Sequence, residues 1–409
     1  MTRGAEELVI VLDAVELGPP RPVGVLSRVG GPGGSVAFSY VRSWLADDAR
    51  FPLDPRLLLV RGPQRIPGGT IPSILADTMP GGWGQRVMDA RAGRGLDEWG
   101  HLVGVTDATR LGGLRLLRPG DAAFVGDADG RVPTTPELRM LQNAAAELER
   151  TADRSPTDPV VAALAGAGSV LGGSRPKVTF RGTDGSLWIA KFPSRSDERS
   201  DVGAWELVFT RLAAAAGVTV AQVDTTRLGG LGRTFVARRF DRAADGSRRL
   251  FASARTLADV EDHRAGYPDI ARAISFHGAP GTVREDLAQL FRRLAFNVLA
   301  GNRDDHLRNH GFLRHVGGWR LAPAFDLNPS WPPREHAITL DGHTRRPHLA
   351  AAVATHRLYG LSAKEAQAVV TQVAAALAGW PAEAERAGIA RVEQATVGVT
   401  FAQLGGART

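Results

Sequence analysis

Asp304 and Asn309 stand five positions apart in GNRDDHLRNHGF (residues 301–312), and Asp326 follows in LAPAFDLNPS (321–330). An aspartate to orient a hydroxyl, an asparagine five residues on and a second aspartate beyond a hairpin-like stretch, GGWRLAPAF, are the parts that phosphoryl transfer requires. Mg²⁺ takes hard oxygen ligands and leaves part of its shell to phosphate oxygens. Asn309 and Asp326 are therefore candidate metal ligands, and Asp304 the candidate catalytic group. Two other readings compete. Asp and Asn also populate ordinary polar turns, and Asp304, Asp305, His306 and His310 allow a hydrolase-type metal cluster, although they follow no familiar three- or four-ligand spacing.

A second group lies upstream. Lysine and arginine together number 50, yet only Lys177, Lys191 and Lys364 are lysine, and two of these fall within GGSRPKVTFRGTDGSLWIAKF (172–192). Arginine is a broad planar fork, whereas lysine is a compact point charge on a slim stem, suited to reaching a single oxygen. PKVTF, RGTDGS and LWIAKF read as strand, turn and strand, with Asp-Gly in the turn. Alternation puts Lys191 on the strand face of Leu187 and Ile189. DVGAWELVFTRLAAAAGV (201–218) follows as a helix, with Val202, Trp205, Phe209 and Leu212 at helical spacing and Glu206 within it. In phosphotransferases a strand lysine grips phosphate oxygens and a helix glutamate braces it, which gives Lys191 and Glu206 those roles. GAGSVLGGSRPK (166–177) offers backbone N–H groups to phosphate at Gly172, Gly173 and Ser174, although it matches neither G-x-x-x-x-G-K-[ST] nor G-x-G-x-x-G. Lys177 either joins that phosphate cradle or braces the loop.

The elements that must position these groups divide by pattern. Short apolar runs broken by Gly and Pro fill residues 5 to 120, from ELVIVLDAV to a helix, break and helix in TIPSILADTMPGGWGQRVMDARAG. Residues 120–137 are polar and turn-rich, a linker or hairpin before a helix that starts near Thr135. TFVARRFDR is a further strand. From about 255 the pattern turns helical, and EDLAQLFRRLAFNVLAGN carries Leu287, Leu290, Phe291, Leu294, Val298 and Leu299 as one stripe directly ahead of Asp304. The expected domains are 1–120, an N-terminal α+β unit; 121–240, a nucleotide-binding lobe; and 241–405, a helical catalytic lobe, with the site between strand-rich and helical parts.

At 409 residues, 43% hydrophobic and 23% charged, the chain has enough apolar side chain for large cores. With no cysteine, disulfides, thiolate metal sites and cysteine nucleophiles are excluded. No signal peptide or membrane span is evident, which reads as cytoplasmic. The net charge of +7 comes from dispersed arginines, so DNA contact is expected to be auxiliary or indirect.

Taken together, these segments resemble the HipA-like serine/threonine kinases, toxins of bacterial type II toxin–antitoxin modules. GGSRPKVTF resembles the family's GGxRPK motif, WIAKFPS its nucleotide-lysine strand, FVARRFDR its hinge, and NVLAGNRDDHLRNHGF with LAPAFDLNPS its catalytic and metal loops. SYVRSWL and LADTMPGGW extend the likeness into the N-terminal unit, so that it runs from about 20 to 390. The resemblance implies an α+β, bilobed kinase-like fold with an extra N-terminal β-rich subdomain and an all-helical C-lobe. It implies Asp304 as the catalytic aspartate and Asn309 and Asp326 as Mg²⁺ ligands. Lys191, Gly172, Gly173, Ser174, Lys177, Glu206, Arg239, Phe240 and His306 would then bind ATP, with Arg239 and Phe240 at the adenine hinge. A protein Ser/Thr hydroxyl would accept the phosphoryl group, and a helix-turn-helix DNA-binding antitoxin would be the partner. Some relatives are silenced by phosphorylation of a serine in the glycine-rich loop, where Ser169 and Ser174 both lie. A small-molecule kinase of the aminoglycoside or choline type shares the Asp/Asn spacing, and a non-catalytic subunit of an antitoxin complex is the non-enzymatic alternative.

Overall fold

The computed structural model describes residues 6–66, 70–126, 131–151, 155–166, 173–197, 200–229, 232–260, 262–331 and 334–401. The chain forms two compact units, one from Met1–Arg195 with Asp241–Ala252, the other from Ser196–Phe240 with Ser253–Thr409.

In the first unit, strands β1 (Glu6–Leu12), β2 (Arg21–Val29), β3 (Ser35–Tyr40) and β4 (Leu114–Leu117) make an antiparallel sheet in the order β3-β2-β1-β4. Alternation drives the packing: Leu8, Ile10 and Leu12 of β1 are buried on one side, while Val9 between Leu8 and Ile10 is only half-buried. Helix α1 (Gly82–Ala92) closes on Gly93, whose left-handed backbone (φ 65°) suits glycine at that stop. Strands β5 (Lys177–Arg181) and β6 (Leu187–Lys191) form the hairpin expected around RGTDGS. Its turn is held by the Asp184 carboxylate, which accepts from the backbone N–H and the hydroxyl of Ser186 at 3.0 and 2.6 Å.

Residues 241–252 fold back onto this unit through buried ion pairs. Asp241 accepts from the Gly112 N–H at 2.8 Å and from Arg242 at 2.6 Å, and Arg248 reaches the Asp107 carboxylate at 2.9 Å. Burying such charges is tolerable only because each finds a hydrogen-bonded partner.

In the second unit, helix α2 (Val202–Ala215) precedes the hairpin of β7 (Val223–Thr226) and β8 (Thr234–Arg238). Helices α3 (Tyr267–His277) and α4 (Val283–Ala300) follow, then the hairpin of β9 (Gly311–His315) and β10 (Gly318–Leu321). Helices α5 (Ala363–Leu377), α6 (Trp380–Arg386) and α7 (Arg391–Gly398) complete it. The stripe on α4 forms the core, with Leu290, Phe291, Leu294, Val298 and Leu299 fully buried. Trp380 stacks flat on Phe401 (4.9 Å between rings), and Glu393 accepts from Ser200 Oγ, Asp201 N–H and Trp205 Nε1 at 2.7 to 2.9 Å. The last helices thus tie down the start of α2. Among the described residues no helix is long and apolar enough to cross a membrane.

Candidate functional site

Helix α4 delivers the catalytic-loop candidates. It ends at Gly301 (φ 80°), and a side chain there would collide with Thr400, 2.7 Å from its Cβ and 2.9 Å from its backbone oxygen. Only glycine serves both the turn and the close approach. The chain then runs through Asn302 and Arg303 to Asp304, whose side chain is more than half exposed, while its neighbours Arg303 and Asp305 are buried. Asn309 lies in a short 3₁₀ turn (Leu307–Asn309) that His306 opens, and its Nδ2 donates to the Asp304 backbone oxygen at 2.6 Å. That bond ties the two residues together and uses the amide nitrogen as donor, leaving the amide oxygen as the side chain's acceptor atom.

Asp326 follows β10 and adopts φ 59°, a left-handed backbone rare outside glycine. Such strain persists where the surrounding structure over-determines it, frequently at functional sites. Phe325 and Leu327, on either side of Asp326, line a small cleft together with Asn309, His310, Asn302 and Arg293. The loop of Asp304 and Asn309 and the loop of Asp326 therefore adjoin within this unit. Phe240, expected at the hinge, packs against Phe325 (5.6 Å between ring centres), and Arg239 beside it is buried. A carboxylate and an amide oxygen are hard donors, which fit Mg²⁺ better than a transition metal. Among the described residues no three His, Asp or Glu side chains gather as a ligand set, so Asp304, Asp305, His306 and His310 do not form the hydrolase cluster.

Asp305 has a structural task instead. Its buried carboxylate accepts from the Tyr267 hydroxyl (2.9 Å), His336 Nδ1 (2.7 Å) and the Ala337 N–H (3.1 Å). Tyr267 in turn accepts from Asn297 Nδ2 at 2.8 Å, and Asn302 Nδ2 donates to Asn297 Oδ1 at 3.0 Å. Burial and the Asp305 carboxylate push the Tyr267 hydroxyl well above its usual range, so it remains a donor. Arg303 donates to the Asn297 and Val298 carbonyls at the end of α4 and faces His336 Nε2. Guanidinium only donates and carboxylate only accepts, so the His336 ring carries its proton on Nδ1 and accepts at Nε2. Hydrogen bonds thus link the end of α4 to His336, and Asp304 projects from the turn they hold.

His310, also buried, packs edge-on against Tyr267 (5.4 Å). Burial, reinforced by the charge of Arg293, pushes its imidazole down to about 4, so it is neutral at pH 7. Arg293 is itself pushed down to about 10 by burial and stays charged.

In the first unit, Lys177 and Lys191 are directly opposite each other in the β5–β6 register, hence on one face of the hairpin. Like charges so placed repel unless other groups offset them. Lys177 is buried and Lys191 half-buried. A Cβ built on Gly173 (φ 95°) would lie 2.7 Å from the Lys177 ammonium, so this amine sits against the glycine loop itself. Helix α1 supports that loop, with the Trp83 N–H donating to the Gly173 oxygen (3.2 Å) and Arg86 to the Ser174 oxygen (3.0 Å). Ser174 is exposed. Gly172 and Ser169 lie outside the described residues. Glu206 is buried on α2, at the first turn of which the Asp201 side chain accepts from the Ala204 N–H.

The comparisons bear on this geometry. A family model, the HipA-like C-terminal domain, matches residues 169–380, more than half of the chain. The chain belongs to the HipA-like family. Two proteins of Sinorhizobium fredii are similar to it: "Putative kinase Y4dM", 30% identical over 46% of this chain and 48% of that protein, and "Putative kinase Y4mE", 27% identical over 72% of each. The match thus spans about half the length of the first relative. Its fold is that of a solved chain from the Shewanella oneidensis MR-1 toxin–antitoxin complex of HipA, HipB and operator DNA. The TM-score is 0.68 at 18% identity, over 98% of this chain and 96% of that one. The HipA-like fold is thus α+β with a β-rich N-terminal part and a largely helical C-terminal part. Arg303, Tyr267 and His336 support the loop without any sequence signal of their own; the acidic doublet Asp304-Asp305 is the local feature from which an inward-turned partner follows.

Proposed function

We propose that this HipA-like chain is an ATP- and Mg²⁺-dependent kinase that transfers the γ-phosphoryl group to a serine or threonine hydroxyl of a protein. It would act as the toxin of a type II toxin–antitoxin pair. The observation that carries the reading is the second unit's loop pair: an exposed Asp304 tied to Asn309, whose cleft is shared with the residues flanking Asp326.

In this reading Asp304 accepts a hydrogen bond from the acceptor hydroxyl and aims its oxygen at the γ-phosphorus. Asn309 and Asp326 would hold Mg²⁺, which when bound supplies charge neutralisation at the phosphate oxygens. Lys191, with Lys177 opposite it, binds phosphate oxygens, and the backbone around Gly172, Gly173 and Ser174 contributes N–H donors. Glu206 is assigned the part of the helix glutamate of phosphotransferases, Arg239 and Phe240 that of the adenine hinge, and His306 that of a further nucleotide contact. The names of the Sinorhizobium relatives support kinase chemistry, and the HipB and operator DNA in the Shewanella complex support a DNA-binding antitoxin as partner.

Incubation with γ-labelled ATP and fractionated lysate tests this. Label in protein bands, dependent on Mg²⁺, is expected; label confined to small molecules would instead favour a small-molecule kinase, and no transfer to either a non-catalytic subunit.

A further inference from the structure

The stretch beyond Asp326 is pinned at two points to the loop that carries Asp304. Ser330 Oγ accepts from the Arg303 N–H at 2.9 Å, and the Ser330 N–H donates to the Gly301 oxygen at 3.0 Å. Further on, the Ala337 N–H donates to the Arg303 oxygen at 2.9 Å, and His336 binds the Asp305 carboxylate at 2.7 Å. Arg303, Asp305, Ser330 and His336 are buried, whereas Trp331 and Arg334 are exposed. Arg334 Nη2 lies 3.3 Å from Asp304 Oδ1, with both side chains more than half exposed. Glu335, its neighbour, is taken by Arg346 at 3.6 Å, so the carboxylate that Arg334 holds is that of Asp304.

A carboxylate that must receive a hydroxyl proton is poorly served by a guanidinium on one oxygen, because guanidinium only donates and does not give up its charge. An ion pair this exposed is weak and exchanges readily for another anion. The exchange partner closest to an incoming hydroxyl is the acceptor chain itself. We propose that Arg334 selects the acceptor: it holds Asp304 until an acidic residue beside the acceptor hydroxyl takes over the guanidinium, so that hydroxyls flanked by Asp or Glu are preferred. The inference rests on the kinase reading above. In the transfer, the acceptor oxygen bonds to the γ-phosphorus and the bond from that phosphorus to the β–γ bridging oxygen breaks. The electron pair leaves with ADP and the hydroxyl proton passes to Asp304. Arg334 takes no part in those bond changes; it governs which chain reaches them.

The test uses three synthetic serine peptides identical except for flanking Asp, Asn or Lys, with kcat and KM measured separately. The wild-type chain should favour the Asp peptide over the Asn peptide by about tenfold in kcat/KM, through KM for the charge-assisted contact and through kcat for the release of Asp304. Arg334→Ala should bring the two peptides to near equality, and Arg334→Glu should shift the preference to the Lys peptide. Equal use of all three by the wild type, an unchanged preference in Arg334→Ala, or an equal loss of kcat on all three peptides would overturn the proposal. Fluorescence anisotropy of the same labelled peptides, without ATP, separates this from the kinase reading. Acid-selective binding that Arg334→Ala abolishes, in a chain that transfers no phosphate, would leave the surface standing and remove the kinase; identical binding of the three peptides would overturn the proposal itself.

Discussion

Replacing Asp305 by asparagine preserves shape and removes one acceptor, which makes it the sharpest probe of the base under Asp304. If the new amide keeps its oxygen toward the Ala337 N–H, its NH₂ faces the Tyr267 hydroxyl and His336 Nδ1, both donors now. His336 could accept only by moving its proton to Nε2, where it would confront the Arg303 guanidinium. Either arrangement leaves a buried donor against a donor. Hydrogen bonds to charged groups are worth about 1.5–3 kcal/mol, and losing one here with a donor left unsatisfied should cost about 2–4 kcal/mol. For a unit of this size that is a fall of roughly 4–15 °C in melting temperature. Urea and thermal unfolding measure it, and a double-mutant cycle with His336→Phe should show a coupling of about 1 kcal/mol or more. A loss below about 0.5 kcal/mol, or strict additivity in the cycle, would refute the network as described.

Further outcomes follow from the same geometry. His310 is held near 4 against an ordinary value of 6.5, so the folded state resists its protonation; stability is complete above pH 6.5 and falls as pH drops toward 4, by roughly 3 kcal/mol for this group. His310→Leu should flatten that part of the stability–pH curve, and an unchanged slope would show that the ring is not buried as described. Mg²⁺-ATP at a hundred times its Kd should stabilise the wild type by about 2.7 kcal/mol. Lys191→Met should abolish most of that shift, and an undiminished one would remove Lys191 from nucleotide binding. Glu393→Ala strips three donors of their acceptor at the start of α2 and should cost about 2 kcal/mol in thermal unfolding, whereas a neutral variant would show that the last helices do not anchor α2.

Local patterns in the sequence carry the frame of this molecule well. The α4 stripe, the β5–β6 hairpin with its Asp-Gly turn and the helix at 202–215 each follow from periodicity and turn chemistry over a dozen or so residues. The acid–amide spacing that draws attention to Asp304 and Asn309 is local too. What escapes such reading is long-range and polar. Asp305 meets His336 31 residues away and Tyr267 38 residues away, and no period links a histidine in REHAI to an acidic doublet. Residues 241–252 return to the N-terminal unit through the partners of Asp107 and Gly112, contacts that close well over a hundred residues of chain. The facing of Lys177 and Lys191 lies between these cases: once the turn is placed, the register determines it.

In the proposed reaction Asp304 orients the acceptor hydroxyl, a role probed by label transfer from γ-labelled Mg²⁺-ATP to protein acceptors by wild type and Asp304→Asn, each checked for its Mg²⁺-ATP thermal shift. Transfer should fall by about a factor of 10² to 10⁴ while the thermal shift and the fold persist. Undiminished transfer by Asp304→Asn would contradict the assignment.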